Sequence, residues 1–172
     1  TLGSDKQETF KREELIKHFA DFLKGFGIAK INFRWDKIYE EDWSTAWKKY
    51  WSPDPVGNRL LILPEWLAVP AEYSERTILR LDPGKAFGTG SHPSTRLCLK
   101  GLEHPLPKNL RVADLGCGSG ILGVAAIKLG AKEVFAVDRD PMAIRATLEN
   151  AKLNGLGEDR LHTYLGSVDV LK

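Results

Sequence analysis

Three glycines alternate with single residues in Asp114-Leu115-Gly116-Cys117-Gly118-Ser119-Gly120, and Asp138 follows 18 residues after the last of them. Glycine tolerates positive φ and lets a ligand approach the main chain with no Cβ in the way. A carboxylate at that distance, ending the next strand, can accept hydrogen bonds from both hydroxyls of a ribose. Loop and acid together describe an adenosine site. A glycine-rich turn alone would carry little weight, since tight turns and close helix packing also require glycine. Here strand, turn, helix, strand and acid follow in that order within one unit, which supplies the missing context.

Spacing separates the possible adenosine cofactors. Nicotinamide and flavin dinucleotides use the fingerprint G-x-G-x-x-G, which sets a helix N-terminus against a pyrophosphate. The loop here is G-x-G-x-G preceded by Asp114, and a carboxylate suits an α-ammonium group. S-adenosylmethionine has that ammonium and no phosphate, so it is the expected cofactor, with Gly116, Gly118, Asp138 and Asp114 as contacts. An oxidoreductase using a nicotinamide dinucleotide is the disfavoured rival. Asp114 has a second reading, as a structural residue that caps the turn.

A second segment, Leu81 to Thr95, is dense in glycine and polar side chains, and reads as a lid or edge for the site. Phe87, Thr89, His92 and Thr95 would give it an apolar contact and several hydrogen-bonding groups. For His92 the plain reading is a loop histidine bonded to backbone, and a general base is the lesser one.

The elements that must position these residues follow from periodicity. From Leu110 the pattern alternates: strand Leu110 to Leu115, helix Ile121 to Leu129, strand Glu133 to Val137, helix Pro141 to Leu153, and a third strand Leu161 to Leu165. That alternation argues for a parallel sheet with covering helices. Upstream, Glu8 to Leu23 reads as an amphipathic helix, and Ile31, Phe33 and Trp35 alternate with polar residues as in a half-buried strand, together a small α+β unit. Trp43, Trp47 and Trp51 recur at helical spacing and read as a packing stripe ending before Pro53. Val56 to Leu63 and Thr77 to Leu81 read as strands, and Arg96 to Leu102 as a helix. The expected domains are 1–55, partial α+β; 56–76, linker; and 77–172, an incomplete α/β domain.

Composition bounds the rest. The chain has 172 residues, 42% apolar, with a formal net charge of +2, so charge implies no nucleic-acid partner. Its two cysteines, Cys98 and Cys117, have neither metal-ligand spacing nor a paired framework, which predicts reduced thiols, no metal site and a cytoplasmic location. No apolar run approaches the roughly 20 residues that cross a bilayer, so no membrane partner is expected.

Asp82 to Thr95, Asp114 to Leu122 and Val137 to Ala143 closely resemble the ribosomal protein methyltransferases that modify large-subunit ribosomal protein eleven. The likeness extends through Glu41 to Trp51, Val56 to Leu60 and Glu149 to Gly155. It implies a Rossmann-like, S-adenosylmethionine-dependent methyltransferase fold, with Thr95, Gly116 and Asp138 on cofactor-binding positions and Phe87 and Thr89 as secondary contacts. It also implies an N-terminal recognition domain of ferredoxin-like form, a large-subunit ribosomal protein as substrate, and methylation of amino groups. Two departures stand against the family pattern. Residues 1 to 50 are few for the whole recognition domain, and the chain stops at Lys172, before the position where the family supplies an asparagine. The 63 residues from Leu110 to Lys172 accommodate one β-α-β-α-β half of a doubly wound sheet, the N-terminal one. An unpaired edge and uncovered apolar surface are then expected, with a dimer or domain swap as the outcome. A non-catalytic cofactor-binding fragment and an RNA or small-molecule methyltransferase remain as alternatives.

Overall fold

The computed structural model describes residues 2–28, 32–33, 47–83 and 90–171, with side chains from residue 12 onward and excepting Trp47. The chain divides into two compact units, Thr1–Ala46 and Trp47–Lys172. In the first, helix α1 (Leu2–Lys24) is ended by the turn that holds Gly27 at φ +75°. Leu15, Phe19 and Phe22 on this helix are exposed. The alternating stretch Ile31 to Asp36 lies outside the described residues, apart from Asn32 and Phe33, which join no regular element. Trp43 is likewise outside them, and the described end of the tryptophan stretch is a single 3₁₀ turn, Trp47–Tyr50.

The second unit begins with a three-stranded sheet: β1 (Asp54–Val56), β2 (Leu60–Pro64) and β3 (Thr77–Leu81). β1 and β2 pair antiparallel, and β2 and β3 pair parallel. The stretch read as one strand from Val56 to Leu63 is therefore a hairpin with a turn at residues 57–59, and residues 56–76 lie inside this unit. The reason is local. Gly57 has φ +56°, and the Glu103 carboxylate gathers the N–H groups of Asn58 (2.9 Å), Arg59 (2.7 Å) and Leu60 (3.2 Å). A Cβ on Gly57 would overlap that carboxylate. β2 is buried along its whole length, as a central strand should be.

Helix α2 (Pro93–Leu102) begins three residues earlier than its apolar pattern suggested. Pro93 suits the first helical position, and the Nδ1 of His92 accepts the Ser94 N–H at 3.3 Å as cap. Then come β4 (Arg111–Leu115), α3 (Ile121–Lys128), β5 (Glu133–Asp138), α4 (Pro141–Leu153) and β6 (Leu161–Leu165). These match the alternation read from the sequence. The second sheet is parallel with order β4-β5-β6. α3 and α4 contact both sheets and form the middle layer. One apolar core joins the layers, from Val56, Leu60, Ile62, Leu79 and Leu81 through Val124, Ala125 and Ile127 to Val134, Ala136 and Leu161. The opposite face of β4-β5-β6 leaves Arg111, Ala113 and Leu115 exposed. Against it lies a hollow of about 390 Å³, lined by Ala113, Phe135, Tyr164 and Val170 among others.

Candidate functional site

The parallel strands β4, β5 and β6 end side by side, and the chain leaves each through a short loop, the place where open α/β sheets bind ligands. A cleft of about 410 Å³ opens there, lined by Leu115, Gly116, Val137, Asp138, Arg139, Gly166, Ser167 and Val168. Gly116 and Cys117 continue the β4–β5 ladder, both donating to the Val137 carbonyl at 2.8 and 3.1 Å. The loop then turns through left-handed backbone at Gly116, Gly118 and Gly120, with φ of 74°, 53° and 76°. A Cβ added to Gly116 would meet nothing within 4 Å, so the space beside it is open. This cradle fits a ligand pressed against the main chain.

Asp138 closes β5 at the edge of the cleft. Its Oδ2 accepts the Gly118 N–H at 3.0 Å, and its Oδ1 accepts the Asp140 N–H at 3.0 Å. The carboxylate plane is thereby fixed, and each oxygen keeps a lone pair for a further donor. Asp140 in turn caps α4, its Oδ1 taking the Met142 N–H at 2.8 Å.

Asp114 points the other way, toward α3. Gly120 precedes that helix with no side chain to cap it, and the Asp114 Oδ2 accepts the Gly123 N–H at 3.0 Å in its place. The residue is 8% exposed. Burial pushes its carboxyl above the usual range, against the Gly123 hydrogen bond that lowers it, and the negative charge of Asp138 adds to the rise. Two carboxylates thus flank the glycine loop. Cys117 is buried between them: burial lifts its thiol to about 11, and both acids contribute.

The described structure brings Gly116, Gly118, Asp138 and Asp114 together around one loop. Thr95 sits half-buried in the first turn of α2 and does not line the cleft. Phe87 and Thr89 lie outside the described residues. His92 is engaged locally, Nδ1 2.7 Å from the Ser94 hydroxyl and in hydrogen-bond contact with the Ser94 N–H, the backbone-bonding role expected of it. Among the described residues no group of three His, Cys, Asp or Glu could hold a metal, and no helix is long and apolar enough to cross a membrane.

Sequence reasoning missed the residues behind the loop. Thr147 donates to the Gly118 carbonyl at 3.1 Å, and Asn150 donates to the Ser119 carbonyl at 2.9 Å. Their signal was a polar interruption of the small apolar stripe Ala143, Ala146 and Ala151 on α4. It also missed Gly166, Ser167 and Val168, which follow β6 and carry no motif of their own.

The family model for ribosomal protein L11 methyltransferase matches residues 5–171. A protein of that name from Prochlorococcus marinus is 54% identical over 93% of the chain and 53% of its own length. One from a Synechococcus species is 57% identical over 94% of the chain and 54% of its own length. The crystal structure of a ribosomal protein L11 methylase from Lactobacillus delbrueckii subsp. bulgaricus superposes with a TM-score of 0.59 at 43% identity, covering 65% of this chain and 57% of that one. The fold is thus the Rossmann-like one of methyltransferases, and the chain spans about half the length of the curated relatives it matches. The chain belongs to the ribosomal protein L11 methyltransferase family.

Proposed function

We propose that this chain carries the cofactor-binding part of an S-adenosylmethionine-dependent methyltransferase that modifies amino groups of a large-subunit ribosomal protein. The observation that supports this best is Asp138, whose two oxygens are each held by one backbone N–H at the mouth of a cleft beside the open Gly116. A ribose diol would complete both oxygens, and charge-assisted hydrogen bonds of that kind are strong. The second support is electrostatic. Asp114 and Asp138 make the loop electronegative, which favours a cofactor with a sulfonium and an ammonium and opposes a dinucleotide pyrophosphate.

In this reading Gly116, Gly118 and Asp138 hold the adenosine, and Asp114, buried behind the loop against α3, adds negative charge toward the ammonium end. The family resemblance adds Thr95, which stands outside the cleft lining, and Phe87 and Thr89, outside the described residues, as further cofactor contacts in this reading. Bound S-adenosylmethionine supplies an electrophilic methyl group to a neutral amine. The chain's own contribution is to fix the cofactor's orientation and withdraw it from water, which is where positioning accounts for much of the rate. No residue here is assigned to deprotonate the amine. The family name of the relatives points to ribosomal protein L11 as the partner; in this reading the unit Thr1–Ala46 belongs to the recognition domain and Trp47–Lys172 to the methyltransferase domain, working in the cytoplasm.

Calorimetric titration tests the cofactor. The chain should bind S-adenosylmethionine and not NAD, and Asp138→Ala should weaken binding by roughly 100-fold, the loss of two charged hydrogen bonds. Binding of NAD in place of S-adenosylmethionine would overturn the reading.

A further inference from the structure

Helix α4 touches the glycine loop and the segment that follows β3 at the same time, through one stripe of polar side chains. Thr147, Asn150 and Asn154 are three and four residues apart and so share a helix face. Thr147 is 0% exposed and Asn150 2% exposed, burial that a polar group tolerates only when hydrogen-bonded. Thr147 holds the Gly118 carbonyl at 3.1 Å and lies 3.3 Å from the Cys117 sulfur. Asn150 donates Nδ2 to the Ser119 carbonyl at 2.9 Å and accepts the Asp82 N–H on Oδ1 at 3.0 Å. Asn154 makes a reciprocal pair with the backbone of Arg80, accepting its N–H at 2.9 Å and donating to its carbonyl at 2.8 Å.

Asparagine is a poor choice for a helix interior on propensity alone, and alanine would fill the stripe better. What recommends it is its planar amide, which offers a donor and an acceptor a fixed distance apart. At position 150 those two halves reach two different loops. A peptide unit is planar, so holding the Ser119 carbonyl against α4 also fixes the direction of the Gly120 N–H on its other edge. Three glycines in five residues make this backbone costly to order, and a side chain that orders it beforehand lowers what the ligand must supply.

We propose that Asn150 is a positioning residue for the cofactor site, its single amide fixing the Ser119 peptide of the glycine loop and the Asp82 peptide that leads toward Thr95 in one geometry. This rests on the reading that the glycine loop binds S-adenosylmethionine. Asn154 is the built-in control, since it ties the end of the same helix to Arg80 of β3, two residues before Asp82, and makes no hydrogen bond to the glycine loop.

The test compares the unaltered chain with Asn150→Ala, Asn150→Asp and Asn154→Ala, measuring Kd for S-adenosylmethionine by calorimetry well below each melting temperature, and Tm by circular dichroism. Asn150→Ala should raise Kd about tenfold. Asn150→Asp keeps the acceptor for Asp82, and with it the fold, but sets an oxygen against the Ser119 carbonyl, so it should raise Kd at least as much. Asn154→Ala should lower Tm while leaving Kd within about twofold of the parent. Parental affinity in both Asn150 variants overturns the proposal, and so does an equal loss in Asn154→Ala, which would mean that affinity merely follows stability. If the unaltered folded chain binds no S-adenosylmethionine, the cofactor reading fails and takes this proposal with it. Binding by the parent that survives substitution at position 150 sinks the positioning role alone.

Discussion

Asp114 serves the structure as a helix cap, and in the proposed function it serves the ligand as well. As a cap it stands in for the side chain that Gly120 lacks, and a negative charge at the first turn of α3 also suits the helix dipole. Burial makes that charge costly, which is why its proton is held more tightly than in an open chain. A carboxyl raised by folding contributes stability that is present below its unfolded pKa of about 4 and lost as pH rises through the native value. Asp114→Asn keeps an oxygen for the Gly123 N–H and removes the charge. The variant's Tm should therefore match or exceed the parent's at pH 7, and its advantage should grow between pH 4 and 7 in a thermal melt series. Its affinity for S-adenosylmethionine should fall about tenfold if the carboxylate's charge acts on the ammonium. Unchanged affinity would leave Asp114 with capping alone.

At the scale of elements, the hairpin β1–β2 and helix α2 are fastened through Glu103, which three backbone N–H groups approach, and through Arg96, paired with Asp54 at 2.5 Å. Partial burial tends to raise the Glu103 carboxyl, but the N–H groups of Asn58, Arg59 and Leu60 outweigh it and hold the carboxyl below its usual range. The sign is opposite to that of Asp114. Stability from this contact is present above the ordinary carboxyl range and lost as pH falls through the native value. Glu103→Gln should cost about 1 kcal/mol near neutral pH, on the scale of a lost cap. The deficit should shrink on acidification, a trend that urea melts at pH 3 and pH 7 would reveal. Equal deficits at both pH values would mean that the charge contributes nothing.

This hairpin also marks what the sequence could and could not reveal. The strands and helices from Arg111 to Leu165 were legible because each carries its own period and its own punctuation, such as Asp140-Pro141 at the start of α4. The loop was legible because its glycines alternate within seven consecutive residues, and Asp138 because it ends the next strand. The turn at Gly57 was not, because a carboxylate 45 residues away from Asn58 organises it. Asn150 was not either, because a polar residue within an apolar stripe gives no hint of which distant carbonyl it serves. Contacts between residues far apart in the chain leave no local period to read.

On the scale of the whole molecule, the two faces of the sheet β4-β5-β6 differ. One is covered by α3 and α4, which bury Val134 and Ala136. The other carries Phe135 stacked with His162 and Tyr164 of β6, at 4.9 and 6.3 Å, with the Arg111 guanidinium 4.8 Å over the ring of Phe135, and leaves Leu115 exposed. β4 lies at the end of the strand order, so among the described residues one of its edges pairs with no strand. Parallel sheets normally have both faces covered, and an open edge offers a template for another chain. The expected consequence is self-association of this chain through that face. Sedimentation velocity over a range of concentrations should show a dimer or larger species. Ala113→Lys, which puts a charge on the exposed face of the edge strand without touching the core, should shift the equilibrium toward monomer by about tenfold. The substitution lies on the face opposite Asp114 and its cap on α3, so the melting temperature of the variant at low concentration should match the parent's. A parent that sediments as a compact monomer at every concentration would show that the aromatic and cationic groups on this face satisfy one another well enough to stand in water.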